Sequence, residues 1–313
     1  NASAHYGEYV SGFLSYNTFL DSEHKIDGEL EEAFLKLADL PLGFEIRAGR
    51  LFNRATTQNS QHLHAWHFAD ANLITSRFLG DEGLASESIE LSYKLPFQHN
   101  ALLSVAYGNA VAHDEHGHEG AGLHADEVEG EGALLNDDII SARLHGVYQH
   151  TDFHQYTYGV SFLHGENEYA KDTNIFGADI AYLWRENGLE SGGKHFRASL
   201  EPIFREFDFS SEDDSKKGSA SEWGVHTSIG YGFTENWELG LRFDYLEGVG
   251  EPVEELLERH RSTAALTREV TYNDYLSGHI RLQYNHEWSD TNGHEDAVWL
   301  QCQIDFGKGG EVR

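Results

Sequence analysis

The sequence predicts a single all-β domain over residues 1–313: a transmembrane, antiparallel up-and-down β-barrel of about 14 strands, with no separate plug domain and one inward-folded loop. Three observations predict it. Apolar and polar residues alternate with a period of two in run after run. The polar face of those runs carries charge of both signs, and aromatic residues gather at the run ends. The 32 Gly, 12% aromatic residues and only 4 Pro suit many short strands and turns. Mean hydropathy is −0.53, and no stretch nears the roughly 18 apolar residues of a membrane helix. Neither excludes a barrel, because half of each strand faces a wet lumen.

Along the chain, the candidate strands are 8–20, 28–38, 43–52, 84–96, 99–112, 138–149, 153–165, 174–186, 195–209, 219–233, 236–248, 260–270, 275–287 and 295–306. In 84–96, Ile89, Leu91, Tyr93 and Leu95 oppose Glu90, Ser92 and Lys94. In 236–248, Trp237, Leu239, Leu241, Phe243 and Tyr245 oppose Glu238, Gly240, Arg242 and Asp244. The last run sets Val298, Leu300, Cys302, Ile304 and Phe306 against Trp299, Gln301, Gln303 and Asp305. Run 260–270 is the weakest, and 12 is the other even strand number that closed bacterial barrels would allow.

A soluble sandwich alternates too, with its apolar face inward. The charged face decides between them: Glu45, Arg47, Glu90, Lys94, Arg143, Asp179, Arg185, Glu201, Arg205, Arg242, Asp244 and Arg281 are too many to bury in a small filled barrel, so they are expected to line a pore. Trp184, Trp223, Tyr231, Phe233, Trp237, Tyr245 and Tyr284 fall at strand ends, where interfacial girdles lie. The connectors alternate between short turns and the longer, polar segments 53–83, 110–137, 166–173, 210–218 and 249–259. If the last strand ends in the periplasm, the long set is extracellular.

The net charge of −31, from 53 acidic and 22 basic residues, excludes nucleic-acid binding of the ordinary kind and favours cations. One cysteine, Cys302, excludes an internal disulfide and a thiolate zinc knuckle. The start NASAHYGEYV has neither a basic nor an apolar leader segment, as expected of a mature or trimmed chain, and does not argue for the cytoplasm. The length cannot supply a 22-stranded barrel plus plug.

The run RAGRLFNRATTQNSQHLHAWHFADANLITSRFLGDEGL, followed by IELSYKLP, resembles a family of Gram-negative outer-membrane proteins known as zinc-regulated outer-membrane receptors, porin-like in architecture. FGADIAYLW, WELGLRFDY and IRLQYNHEW…AVWLQCQIDF resemble the second half of that family in the same order. The resemblance covers most of the chain from Glu29 onward. It implies a barrel in the bacterial outer membrane and a tie to zinc, without a transport mechanism. The tail GKGGEVR departs from barrels that end on an aromatic residue.

QHLHAWHFAD (Gln61–Asp70) lies in the long connector 53–83. Trp66, Phe68, Leu73, Ile74 and Phe78 are too apolar for an exposed loop, so this connector is expected to fold inward as a constriction. His62 and His64 share a side if the backbone is extended, and His67 or Asp70 would complete a nitrogen/oxygen metal site. The competing structural reading ranks first: the imidazoles hold the loop to the wall. Arg77 is expected to anchor to lumen carboxylates. The second constellation lies in connector 110–137, the His/acid-rich extracellular loop: His113, His116, His118 and His124 among acidic residues read as metal capture, zinc first and copper or nickel next, against a solvated acidic loop. The charged connector 251–261 would hide Leu256 and Leu257 against the barrel or a neighbouring subunit.

No phosphate loop, nucleophile elbow or HExxH is present, so enzyme activity is disfavoured. The expected function is a porin-like outer-membrane channel for small polar or ionic solutes, associated with uptake of zinc or other divalent cations. The alternatives are a zinc-capturing barrel of little conductance and, last, a barrel enzyme. The wall is of mixed sign, so the cation preference is expected at the mouth. No cofactor is required, Zn2+ is the first candidate ion, membrane lipids are the surroundings, and a trimer is expected by analogy with porins.

Overall fold

The computed structural model describes residues 2–7, 9–20, 26–62, 65–81, 83–96, 99–111, 131–190, 192–210, 217–249, 256–273, 275–290 and 293–306. The strands are β1 (Ala2–Tyr6), β2 (Val10–Leu20), β3 (Ile26–Leu40), β4 (Phe44–Phe52), β5 (Ala85–Lys94), β6 (Leu102–Ala110), β7 (Leu135–Thr151), β8 (His154–Asn167), β9 (Asp172–Arg185), β10 (His195–Ser210), β11 (Lys217–Thr234), β12 (Trp237–Leu246), β13 (Arg259–Asn273), β14 (Leu276–Ser289) and β15 (Gly293–Phe306). They form one 15-stranded sheet in chain order, each pair antiparallel. All fourteen expected strands are present, and β1 is the addition. At five residues, ASAHY is too short to show a period. The expected even count thus becomes odd, so β1 and β15 run in the same direction. Among the described residues no ladder joins these two edges.

Over most of the wall, apolar side chains point outward. Leu35, Ile89, Val160, Ile180, Leu239, Leu282 and Leu300 are exposed, while Glu45, Arg47, Glu90, Arg143, Glu201, Arg205, Arg242, Asp244 and Arg281 are buried on the other face. An exposed apolar band is costly in water and favoured in lipid. The short-turn end carries an outward row of rings, Tyr148, Tyr156, Tyr182 and Phe196, with successive centroids 6.4, 5.2 and 6.2 Å apart. Trp223 and Tyr245, 5.1 Å apart, mark the opposite end. Both girdles sit where amphipathic rings meet headgroups.

The sheet wraps around the connector 53–84. Side chains of β3, β7, β10, β12, β13 and β14 all reach it from the inner face. Within it lies the helix α1 (Leu73–Leu79). Seven residues are too few to hold a helix in water, so its stability comes from caps and packing. Asn72 accepts a hydrogen bond from Thr75 N at 2.7 Å, and Gly80 closes the end at φ 92°. Leu73, Ile74, Phe78 and Leu79 pack with Ala55 and Leu84 against the wall residues Leu135, Ile139, Leu163, Ile175, Ile203 and Leu246. A second cluster, Ala133, Phe207, Phe209 and Leu256, lies beside it at the long-connector end. Leu256 is thereby hidden against the barrel itself, as expected.

Candidate functional site

The wall arginines do more than balance carboxylates: they harness the inward loop by its backbone. Arg143 Nη1 donates to Ala55 O at 3.2 Å, Arg281 Nη2 to Trp66 O at 3.1 Å and Arg242 Nη1 to Asp70 O at 3.1 Å. Arg261 Nη1 donates to Ala71 O and Arg205 Nη1 to Arg77 O, both at 3.2 Å. A guanidinium has five donors in a fixed fork, so it can pair with a carboxylate and still hold a carbonyl. A loop crossing a lumen needs such donors, since its carbonyls would otherwise be stranded from water.

Loop side chains complete the attachment. Asp70 accepts from Arg242 Nη2 at 3.0 and 3.1 Å, Arg261 Nη1 at 2.8 Å, Gln283 Nε2 at 2.6 Å and Asn285 Nδ2 at 2.9 Å. Burial alone would raise its pKa, but the Arg242 and Arg261 guanidinium groups outweigh this and hold it below the usual carboxylate range. Arg77 pairs with Glu222 at 3.4 Å and donates to Leu257 O at 2.7 Å, the carboxylate anchor that the sequence suggests. Asn59 clasps the two ends of the loop: its Nδ2 donates to Asn53 O at 2.6 Å, and its Oδ1 accepts from Leu84 N at 2.7 Å. Gly83, at φ +82°, leaves room for this clasp, since a Cβ there would meet Asn59 Oδ1 at 2.2 Å.

The three described members of the expected QHLHAWHFAD metal site are not brought together. His62 lies against β3, 2.9 Å from Glu32 and 3.4 Å from Glu31. The register of β2 and β3 shifts between Ser15 and Tyr16, which makes Glu31 the extra residue of a bulge and lets both carboxylates reach one imidazole. Burial disfavours the imidazolium, yet hydrogen bonds to Glu31 and Glu32 push its pKa up to about 9. His67 faces the other side. The surrounding protein, by desolvation, and then Arg197 hold its pKa down at about 4, so it is neutral at physiological pH. Asp70, expected from the sequence to complete a metal site, has its acceptor sites filled by arginine and amide donors and anchors the loop instead. His64 and the connector histidines His113, His116, His118 and His124 lie outside the described residues. Among the described residues, no group of three or more His, Cys, Asp or Glu is placed to hold a metal ion.

Of the twelve residues expected along the pore, Lys94 is misplaced by the sequence reading. It sits exposed at the short-turn rim, 3.9 Å from Asp39, because β5 ends there. Arg185, which ends β9, is half-buried near the same rim. The others face inward, and several form tight pairs rather than a bare lining. Arg47 binds Glu90 twice at 2.9 Å, Lys36 meets Glu45 at 3.2 Å, and Arg143 meets Asp179 at 2.6 Å. Arg205 Nε donates to Glu222 at 2.9 Å, and Asp244 takes His226 Nδ1 at 2.7 Å.

Beneath the loop, toward the short-turn end, a vestibule of about 850 Å3 is lined by Trp66, His67 and Phe68 from the loop and by Asp179, Arg197, Glu201, His226 and Glu238 from the wall. Arg197 holds Glu238 with Nε at 3.1 Å and Nη2 at 2.7 Å, and His195 Nε2 lies 2.7 Å from the same carboxylate. Phe68 lies between two guanidiniums, 5.8 Å from Arg197 and 4.9 Å from Arg242. Sequence reasoning missed Arg197, Glu222 and Arg261, and set Glu238 on the polar face without counting it among the pore-lining residues. Their signal was present, since each is an inward position of a recognised strand.

No protein-family model matches the sequence. An uncharacterized protein of Aquifex aeolicus (strain VF5) is 24% identical over 249 residues, covering 69% of this chain and 48% of that protein, so the chain spans about half the length of this curated relative. Among solved structures, the outer membrane channel DcaP of Acinetobacter baumannii aligns with a TM-score of 0.56 at 11% identity, covering 96% of this chain and 80% of that one. OmpT, an outer membrane protein of Vibrio cholerae, aligns in its loop L8 deletion form with a TM-score of 0.52 at 8% identity, covering 95% and 88%. With the apolar outer face and the ionised inner one, these likenesses identify the fold as an outer-membrane β-barrel of porin type, and the protein resides in the bacterial outer membrane.

Proposed function

We propose that the protein is a porin-like channel for small polar solutes, with the loop 53–84 as its constriction. The observation that carries the reading is the harness: wall arginines on β7, β10, β12, β13 and β14 hold the loop across the lumen and leave a vestibule beneath it. Such a loop narrows the passage without closing the barrel with a separate domain. Opposite charges fixed around the remaining space orient polar solutes and disfavour apolar ones, which would strip those charges of water.

Zinc or another divalent cation as cargo rests on the family resemblance and on the connector histidines, not on the described residues. Capture without conductance has the same support. An enzyme has no phosphate loop, nucleophile elbow or HExxH in the sequence to support it. A trimer, expected by analogy with porins, is checked by light scattering of the detergent-solubilised protein.

Planar-bilayer recording tests the reading. Stepwise ion conductance is expected, rising when residues 61–70 are replaced by a short glycine–serine turn. A barrel that inserts and stays silent in both forms sinks the channel. Recording with and without zinc then tests the cargo: block or a shifted reversal potential supports it, and identical traces remove it.

A further inference from the structure

One inward row of the sheet carries an imbalance of charge. Glu201 of β10 pairs in register with His226 of β11, which pairs with Asp244 of β12. Toward β9 the ladder runs from Leu200↔Ile180 to Ile203↔Gly177 and skips the residues between, where Pro202 has no N–H to give. Asp179 therefore faces Glu201 across that gap. Three carboxylates lie in one row, and two are neutralised. Asp179 meets Arg143 at 2.6 Å, and Asp244 meets His226 at 2.7 Å and Arg242 at 3.1 Å.

Glu201 has no such partner. It is only 5% exposed, lines the vestibule, and accepts one hydrogen bond, from Thr57 N at 3.0 Å. Among the described residues no cation stands within ion-pair distance of it. Thr57 Oγ1 also donates to Asp179 at 3.3 Å, so one loop residue holds both carboxylates at the top of the cavity. A shielded carboxylate without a counter-ion of its own is costly, and the nearest cations, His226 and Arg143, are already paired with Asp244 and Asp179, which leaves the contents of the cavity to supply one. The basic groups of the vestibule are engaged elsewhere or out of reach: His226 and Arg242 are held by Asp244, and His195 by Glu238. Arg197 is held by Glu238 and Lys194 lies 3.9 Å from Glu186. Arg185 lies six residues along β9 from Asp179, about 20 Å at the strand rise.

On the basis of the channel reading, we infer that the vestibule binds the ammonium group of a small organic amine at Glu201, with the alkyl part against Trp66 and Phe68. The chemistry favours an amine over a bare metal ion. A metal ion needs several ligand atoms at once, and Asp179 and Asp244 are already engaged. An ammonium needs one carboxylate and tolerates an apolar wall beside it, which both aromatic side chains provide.

The test is calorimetric titration of the full chain in detergent micelles with butylammonium chloride, with sodium butyrate as the control for the alkyl chain. The wild type is expected to bind the amine and not the butyrate. Glu201→Gln keeps an oxygen for Thr57 N and is expected to weaken amine binding about tenfold or more, while Glu201→Asp, which keeps the charge, retains part of it. Equal binding by wild type and Glu201→Gln, or no amine binding by the wild type, overturns the site. Conductance recorded in parallel separates the two ideas. A conducting barrel that ignores the amine loses this inference and keeps the channel, whereas a silent barrel that binds it through Glu201 does the reverse.

Discussion

Asp70 is bound by Arg242, Arg261, Gln283 and Asn285, donors from β12, β13 and β14, and so one carboxylate fixes the loop to three strands. Removing it takes from each of two buried guanidiniums one of its two carboxylates, leaving Arg242 only Asp244 and Arg261 only Glu287, and strands the Gln283 and Asn285 amide donors. Asp70→Ala is expected to destabilise the loop by about 3–5 kcal/mol, read as rapid proteolysis within 53–84 and raised conductance while the barrel stays heat-modifiable. Proteolysis at the wild-type rate would show that the other anchors suffice. His62 gives a pH signature of definite sign. Its pKa is raised from the ordinary 6.5 to about 9, so its attachment to Glu31 and Glu32 is complete below pH 6.5 and is lost as pH rises through about 9. Protease access to the loop should increase over that window in the wild type and not in His62→Ala. A flat wild-type profile would mean that the β3 contact holds nothing. Gly83→Ala is expected to loosen the same loop through the displaced Asn59 clasp, seen as faster amide exchange at Leu84.

At the scale of the element, α1 shows how little a short helix owes to its own sequence. Its cap is worth about 1 kcal/mol, whereas each of its buried apolar side chains contributes roughly 1.5–3 kcal/mol. Phe78 is fully buried, with the Arg205 guanidinium 5.1 Å from its ring. Phe78→Ala should therefore cost about 3–5 kcal/mol, measured as a lowered midpoint for loop release by hydrogen exchange, with the strand amides unaffected. Loss of strand protection together with the loop would show instead that loop and wall form one cooperative unit. The strands were legible because the period of two persists through ten or more residues, as in β12 and β15. β1 was not, because five residues cannot display it. The inward fold of 53–83 was legible for a different reason: Trp66, Phe68, Leu73, Ile74 and Phe78 together have no place in water. The partners of His62 were not. Glu31 and Glu32 lie thirty or so positions away, and it is a register shift that brings both to one face.

The whole molecule combines an apolar exterior, an ionised interior and a loop that the interior grips. Mixed charge on an inner wall reads in sequence as a pore lining. In the folded chain much of it is used up in Arg47–Glu90, Arg143–Asp179 and Arg205–Glu222, and the remaining donors hold backbone. Selectivity is therefore expected to depend on the few groups left uncompensated, Glu201 first, more than on the excess negative charge of the chain. Alternation and aromatic placement by themselves determined the all-β class, the outward direction of the apolar face and the membrane in which it rests, since these depend only on local periodicity and on transfer between water and lipid. Which histidine meets which carboxylate, which arginine is spent on the loop and where a cavity remains were decided by tertiary structure alone. Those pairings join residues up to 215 positions apart, as Trp66 to Arg281, through strand register and the wrapping of the sheet around its loop, and neither is written in any local stretch.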